Sequence, residues 1–255
     1  METEKLLNFG CEMGRQLLQN GAEIYRVEES ILRLLAAYGR KEAEVFAIPS
    51  CIILNIQEGE RNYTKSIRVQ TVSNNLRRLS NLNALCRDIC REPPPVEESV
   101  RRMETILAQP VYPSLVGFLA YGLVAFFFTL FWGGDLLDAV AAFPCGLVVR
   151  VVLVSMRRLH ANEFFSNLAA AMLSALEPLL LSWAGVPVNT DKMIIGTIML
   201  LVPGIAITNV MRDVLAGDFL TALTRFAEVL IVGMAITVGV AMAIALIRFL
   251  TGGAL

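Results

Sequence analysis

The sequence predicts an α-helical membrane protein: a five-helix transmembrane bundle preceded by a small cytosolic α+β domain. Three observations carry this expectation. Only 18% of the 255 residues are charged, against roughly 25% in soluble chains. The charges that are present crowd into residues 1–104. From Val111 onward, long apolar runs are separated by short polar loops. We therefore expect a cytosolic domain over 1–108 and a membrane domain over 109–255.

Within the first domain, Leu6, Phe9, Gly10, Met13 and Leu17 recur on one helical face until Asn20-Gly21 stops the pattern. Residues 22–38 repeat it with Val27, Ile31, Leu34, Leu35 and Tyr38. Residues 44–56 read as a strand, a polar turn covers 57–62, and residues 63–72 alternate, so a β-hairpin is expected. Leucines at 76, 79, 82 and 85 restore the helical period, and Pro93-Pro94-Pro95 ends it. A last helix over 96–109 leads to the membrane.

A bilayer core of about 30 Å needs about 20 helical residues. Five stretches qualify: 111–132, 136–156, 164–183, 193–210 and 219–250. The last, at 1.5 Å per residue, would run about 48 Å, longer than the hydrocarbon. Arg101 and Arg102 precede the first span, Arg157 and Arg158 follow the second, and Arg212 lies between the fourth and fifth. Asp135, Asp138, Asp191 and Lys192 mark the opposite loops. Positive residues face the cytosol, which places the N-terminus inside and the C-terminus outside.

Several function classes recede. A net charge of −1 offers no field for nucleic acid. Met1 to Asn20 is amphipathic and charged, so no cleavable signal peptide is expected. The cysteines at 11, 51, 86, 90 and 145 contain no CxxC pair and read as free thiols. The single histidine, His160, excludes a His-based triad in the first domain and any multi-histidine metal site. No catalytic residue, metal or cofactor is expected.

The candidate residues are the polar ones at membrane depth. Glu177 is a carboxylate within a span, and such groups face a cavity or a partner. Arg150, two turns from a span end, can snorkel to the interface. Pro203-Gly204 interrupts the fourth span and frees backbone groups that only protein or water can satisfy. Downstream, Thr208, Asn209, Arg212, Asp213, Asp218, Arg225 and Glu228 suggest a polar vestibule, with Arg225 and Glu228 spaced i,i+3 for pairing. Small residues at i,i+4 spacing, Ser166-Ala170-Ser174 and Gly233-Thr237-Ala241-Ala245, read as helix-packing stripes.

The run PGIAITNVMRDVLAGDFLTALTRFAEVL at 203–230 resembles the Pro-Gly…Arg-Asp…Gly-Asp…Arg…Glu pattern of the threonine/serine exporter (ThrE) family. NGAEIYRVEESI at 20–31 and FAIPSCIIL at 46–54 resemble that family's hydrophilic domain. The motif residues there are Gly21, Glu23, Arg26, Glu28 and Pro49, with Arg68. The resemblance covers essentially the whole chain. It implies export of small amino or organic acids across a bacterial inner membrane, driven by an ion gradient. The absence of a GxxxxGK[ST] phosphate loop agrees with that.

Fused family members contain two five-span halves, whereas this chain resembles the larger subunit of a split exporter. That implies a five-span small subunit as partner, with self-association as the alternative, and a succinate-type dicarboxylate besides threonine or serine as substrate. By this analogy Arg212, Asp213, Arg225 and Glu228 line the cytosolic entrance, and Glu177 is a candidate proton carrier. Two other readings stand beside it. One is a membrane-tethered, hydrolase-like enzyme using Glu23, Arg26, Glu28 and Arg68 within residues 1–105. The other is a non-transporting scaffold.

Overall fold

The structure, a computed structural model, describes residues 2–69, 74–110 and 112–252, apart from the side chain of Glu2. Its contacts divide into two compact units, Met1–Pro110 and Val111–Leu255.

The first unit runs α1 (Glu2–Gln19), α2 (Ile24–Ala37), β1 (Ala43–Ile48), β2 (Cys51–Glu58), β3 (Arg61–Arg68), α3 (Leu76–Arg91) and α4 (Val96–Leu107). Gly21 ends α1. At φ +97° it adopts a conformation that costs other residues about 1–2 kcal/mol. In that turn the Gly21 and Ala22 amides donate to the Leu18 and Leu17 carbonyls. The periodic faces read from sequence are the buried ones. Leu6, Phe9, Met13 and Leu17 of α1 and Val27, Ile31, Leu34 and Leu35 of α2 cover the sheet face made by Ala47, Ile52, Leu54 and Ile56. Leu82, Leu85 and Ile89 of α3 join the same core.

The expected hairpin is instead a three-stranded antiparallel meander, ordered β1-β2-β3. The stretch read as one strand, 44–56, folds back at Pro49-Ser50, so that Ile48 pairs with Cys51. Proline cannot donate to a ladder, and here it sits in the two-residue turn where no donor is needed. The end of the second expected strand, residues 70–72, and Val111 at the head of the first expected span lie outside the described residues.

The second unit contains α5 (Ser114–Phe131), α6 (Leu136–Arg158), α7 (Glu163–Trp183), α8 (Thr190–Ile198), α9 (Gly204–Leu215) and α10 (Phe219–Leu250). Among the described residues, four helices are long and apolar enough to cross a membrane: α5, α6, α7 and α10. The protein is thus a helical, multi-pass membrane protein. The expected span over 193–210 is not one helix. It is α8, of 9 residues, and α9, of 12, about 14 and 18 Å long and each too short to span alone. The break closes through Pro203, whose φ −79° and ψ 61° let the Gly204 amide donate to the Val202 carbonyl at 2.9 Å.

Helices pack here on small residues. A Cβ on Gly239 of α10 would sit 2.4 Å from the Leu168 carbonyl oxygen of α7. Those backbones touch along Ala170, Ala171 and Ser174 of α7 and Ala235, Gly239 and Ala243 of α10. The stripe expected to pack on α10, Gly233-Thr237-Ala241-Ala245, is the exposed face instead. The α7 stripe packs as read, with Ala170 and Ser174 buried. Because α10 is apolar all round, its sequence does not mark which face meets a neighbour.

Candidate functional site

The interior of the second unit holds one carboxylate from the middle of a span. Glu177 of α7 is half-buried, and its carboxyl lies beside the Cys145 thiol of α6. The Cys145 thiol donates to the Ala141 carbonyl at 3.5 Å and adjoins the Thr197 hydroxyl, in the last turn of α8, which donates to the Met193 carbonyl at 2.8 Å. Glu177 Oε2 is buried and has no hydrogen-bond partner. A buried polar atom left unpaired costs about 1–3 kcal/mol, and more for a charged group, so this oxygen is poised for a proton or an incoming donor.

The backbone around this contact is also open. Pro144 precedes Cys145 in α6, and Pro178 follows Glu177 in α7. Each proline lacks the amide that would bond four residues back, which releases the Val140 and Ser174 carbonyls from their ladders. Thr197 leads into the break at 199–203. Three interrupted backbones and one carboxylate thus meet at the junction of α6, α7 and α8. This arrangement can hold a proton, or present free carbonyls to a cation or a hydroxyl. Among the described residues no group of three or more His, Cys, Asp or Glu side chains could hold a metal.

Helix α8 is fastened there at its other end. Asp138, fully buried near the start of α6, accepts from the Asn189 amide at 2.7 Å and from Asn189 Nδ2 at 2.8 Å. It also accepts from the Asp135 amide at 3.0 Å, closing a capping box on α6. Lys192 donates to the Gly133 carbonyl in the same corner. Gly196 lets α8 lie against α5, since a Cβ there would sit 2.4 Å from Thr129 Oγ1.

The downstream polar residues form a separate group. Asp213, buried at the end of α9, pairs with Arg225 of α10 at 3.4 Å. Gly217, at φ +83°, turns the chain between the two helices, and Asp218 caps α10 by accepting from the Thr221 amide. Arg225 therefore reaches across the turn to Asp213, and the i,i+3 pairing with Glu228 does not form. Glu228 is exposed, within electrostatic reach of Glu163 and Arg225. Thr208 donates back to the Gly204 and Ile205 carbonyls, and Asn209 is half-buried. Arg212 is exposed, as is Gly204, while Pro203 is half-buried. Glu163 and Glu177 are separated by about 21 Å along α7, so Glu228 and Glu177 occupy opposite levels of the bundle and do not meet.

The motif residues of the first unit have local roles. Glu23 sits at the N-cap of α2 and pairs with Arg26 at 2.5 Å. Glu28 accepts from the Ala47 amide at 2.8 Å, occupying an outward-facing donor of edge strand β1. Pro49 makes the β1–β2 turn, Gly21 ends α1, and Arg68 lies exposed at the end of β3.

The family model described as "Putative threonine/serine exporter" (ThrE) matches residues 8–247. The chain belongs to this family. Over 204 residues it is 24% identical to "Pheromone-regulated membrane protein 10" of Eremothecium gossypii, covering 77% of this chain and 27% of that protein. Over 258 residues it is 26% identical to "Probable succinate transporter subunit YjjP" of Escherichia coli, covering 96% of each. The chain thus spans 27% of the first relative's length and 96% of the second's. No solved structure matches it. The family expected from residues 20–54 and 203–230 is the one found, and it marks a membrane protein of exporter type.

From sequence Cys145 reads only as a free thiol and Asp138 only as a loop charge, and Thr197 and Asn189 are not singled out. Cys145 and Thr197 are neutral, and Asp138 and Asn189 sit in loops or at a helix start, so none stands out against its surroundings. Pro144 and Pro178, flanking the Cys145–Glu177 contact, are the signal that could have found it.

Proposed function

We propose that this ThrE-family chain is one subunit of a secondary-active exporter of small organic acids. The substrate is a succinate-type dicarboxylate, or threonine or serine, and a second five-span chain completes the pathway in a bacterial inner membrane. In this reading α8 and α9 together form the fifth crossing, with the N-terminus cytosolic and the C-terminus outside. The observation that carries it is the Glu177–Cys145–Thr197 contact beside the helix break. A carboxylate with an unpaired oxygen, set among interrupted helices, is what a proton-coupled transporter places at membrane depth.

The Arg225–Asp213 pair and the Glu163–Glu228 region, about 21 Å away along α7, serve as the cytosolic entrance. Thr208, Asn209, Arg212 and Asp218 lie along the same hairpin. Two further findings support the reading. The Escherichia coli relative matched over nearly its full length is named as a succinate transporter subunit. The Arg and Lys distribution supports a cytosolic α9–α10 turn.

The test is to delete the chain in its native host and to follow efflux of preloaded succinate, threonine and serine. Slower efflux of at least one acid, restored by the chain, is expected. Unchanged efflux of all three would overturn the assignment. Affinity purification of the restored chain should bring down a second multi-span protein in stoichiometric amount.

A further inference from the structure

Arg150 lies on α6, about 12 Å inside the Arg158 end. Its guanidinium rests against Gly117 of α5, where a Cβ would approach Nη2 to 3.2 Å. Its Cζ lies over the Tyr121 ring, 5.1 Å from the centroid, and over the Phe118 ring at 6.0 Å. Nε is buried and has no hydrogen-bond partner. Among the described residues no carboxylate pairs with it. The other intramembrane cation of note, Arg225, has Asp213.

An arginine at membrane depth without a counter-ion is expensive, and the rings offset only part of that cost. Aromatic rings attract the guanidinium charge but accept few of its N–H hydrogen bonds. Its N–H edge remains, and that edge has the geometry of a planar oxyanion. Arg150 is half-buried and sits at the edge of the buried face of α6, between buried Val149 and exposed Val151. Tyr121, beneath the guanidinium, packs against the cluster that contains Val149 and Leu201 of the helix break. The cation is therefore tied through one aromatic ring to the interrupted segment.

We infer that Arg150, held against Tyr121 and Gly117, is a specificity residue of the export path whose N–H edge takes one carboxylate of the transported acid. This rests on the proposed function and adds what recognises the substrate. Glu177 is too distant in role to do so, since a carboxylate does not attract an acid. Gly117 is needed because a side chain there would fill the space at Nη2. A lipid phosphate offers the same oxyanion chemistry, so the experiment must separate the two.

The experiment uses inverted membrane vesicles from the native host, in which the cytosolic face is outward, and radiolabelled succinate, threonine and serine as probes. Uptake that disappears on deletion of the chain defines the signal. Arg150→Gln removes the charge, and Arg150→Lys keeps it without the planar fork. We expect KM for the transported acid to rise about tenfold in the Gln variant, the equivalent of one charge-assisted contact. A smaller rise is expected in the Lys variant, with Vmax within twofold in both.

The Lys variant keeps the test alive if the Gln variant fails to accumulate. Unchanged KM in the variants that accumulate overturns the inference and leaves the export reading intact. Loss of co-purifying anionic phospholipid from the Gln variant, with KM following the phosphatidylglycerol content of reconstituted vesicles, also overturns it by assigning the site to lipid. Absence of chain-dependent uptake of all three acids overturns the export reading and this inference together.

Discussion

Asp138 should be the strongest single fastening in the membrane unit. It is fully buried and accepts three N–H groups, from Asn189 twice and from Asp135 once, at 2.7–3.0 Å. Hydrogen bonds to a charged acceptor contribute about 1.5–3 kcal/mol each. They are not additive within one network, and part of the loss is recovered by relaxation. Asp138→Ala strands three donors at once, so we expect about 3 kcal/mol of destabilisation. Asp138→Asn keeps the shape but turns an NH2 toward a donor, and should cost about 2 kcal/mol.

The assay is SDS-induced unfolding of the purified chain in mixed micelles, followed by tryptophan fluorescence. The sequence contains two tryptophans, Trp132 and Trp183, both in the membrane unit. Trp132 is adjacent to the Gly133 carbonyl that Lys192 holds in the same corner. Both variants should unfold at lower SDS than the wild type, Ala before Asn. If the two unfolded with the wild type, Asp138 would not be what holds α8 against α6, and the placement of Thr197 beside Cys145 would need another cause.

Four further outcomes are expected. Arg225→Met leaves buried Asp213 without its ion pair and should destabilise by about 3 kcal/mol, whereas adding Asp213→Asn should recover part of that in a double-mutant cycle under the same assay. Gly239→Ala forces a Cβ to 2.4 Å from the Leu168 carbonyl and should cost about 2–3 kcal/mol, while Gly233→Ala, with nothing near its added Cβ, should be close to neutral. Burial pushes the Cys86 thiol up to about 12 and Cys11 to about 11 from 9.0, so in the native protein at pH 7.5 maleimide should modify exposed Cys90 and spare both. At the acid side, Thr3 and Arg40 hold the Glu58 carboxyl below its usual 4.5, as Lys5 does for Glu97 and Arg102 for Glu98. Their contribution is present above pH 4.5 and lost as pH falls through the folded values, so urea midpoints of the first unit should drop between pH 5 and pH 3.

The first unit's helices were legible because each buries one face and solvates the other, which is what a 3.6-residue period records. Its sheet was misread because Pro49-Ser50 sits inside the apolar run FAIPSCIIL, where a turn looks like more strand. In the membrane unit, Pro203-Gly204 marked the interruption of 193–210, but hydropathy averages over a window and still read one span where there are two short helices. Glu177 stood out because a carboxylate among leucines has no packing explanation. Its partners did not stand out, because Cys145 and Thr197 resemble any other small residues in a span. Arg225 was assigned the wrong neighbour because the i,i+3 rule sees only one helix, and Asp213 comes from the next. The missed partners of Glu177 and Arg225 are contacts between elements, which a period along one element does not encode.

The most direct test of the account is Glu177→Gln in inverted vesicles from the native host. If Glu177 carries the coupling proton, accumulation of the exported acid driven by a pH gradient should vanish while exchange of labelled for unlabelled acid persists. Accumulation at the wild-type rate, with the same dependence on the pH gradient, would contradict the central claim that this carboxylate beside the helix break couples transport.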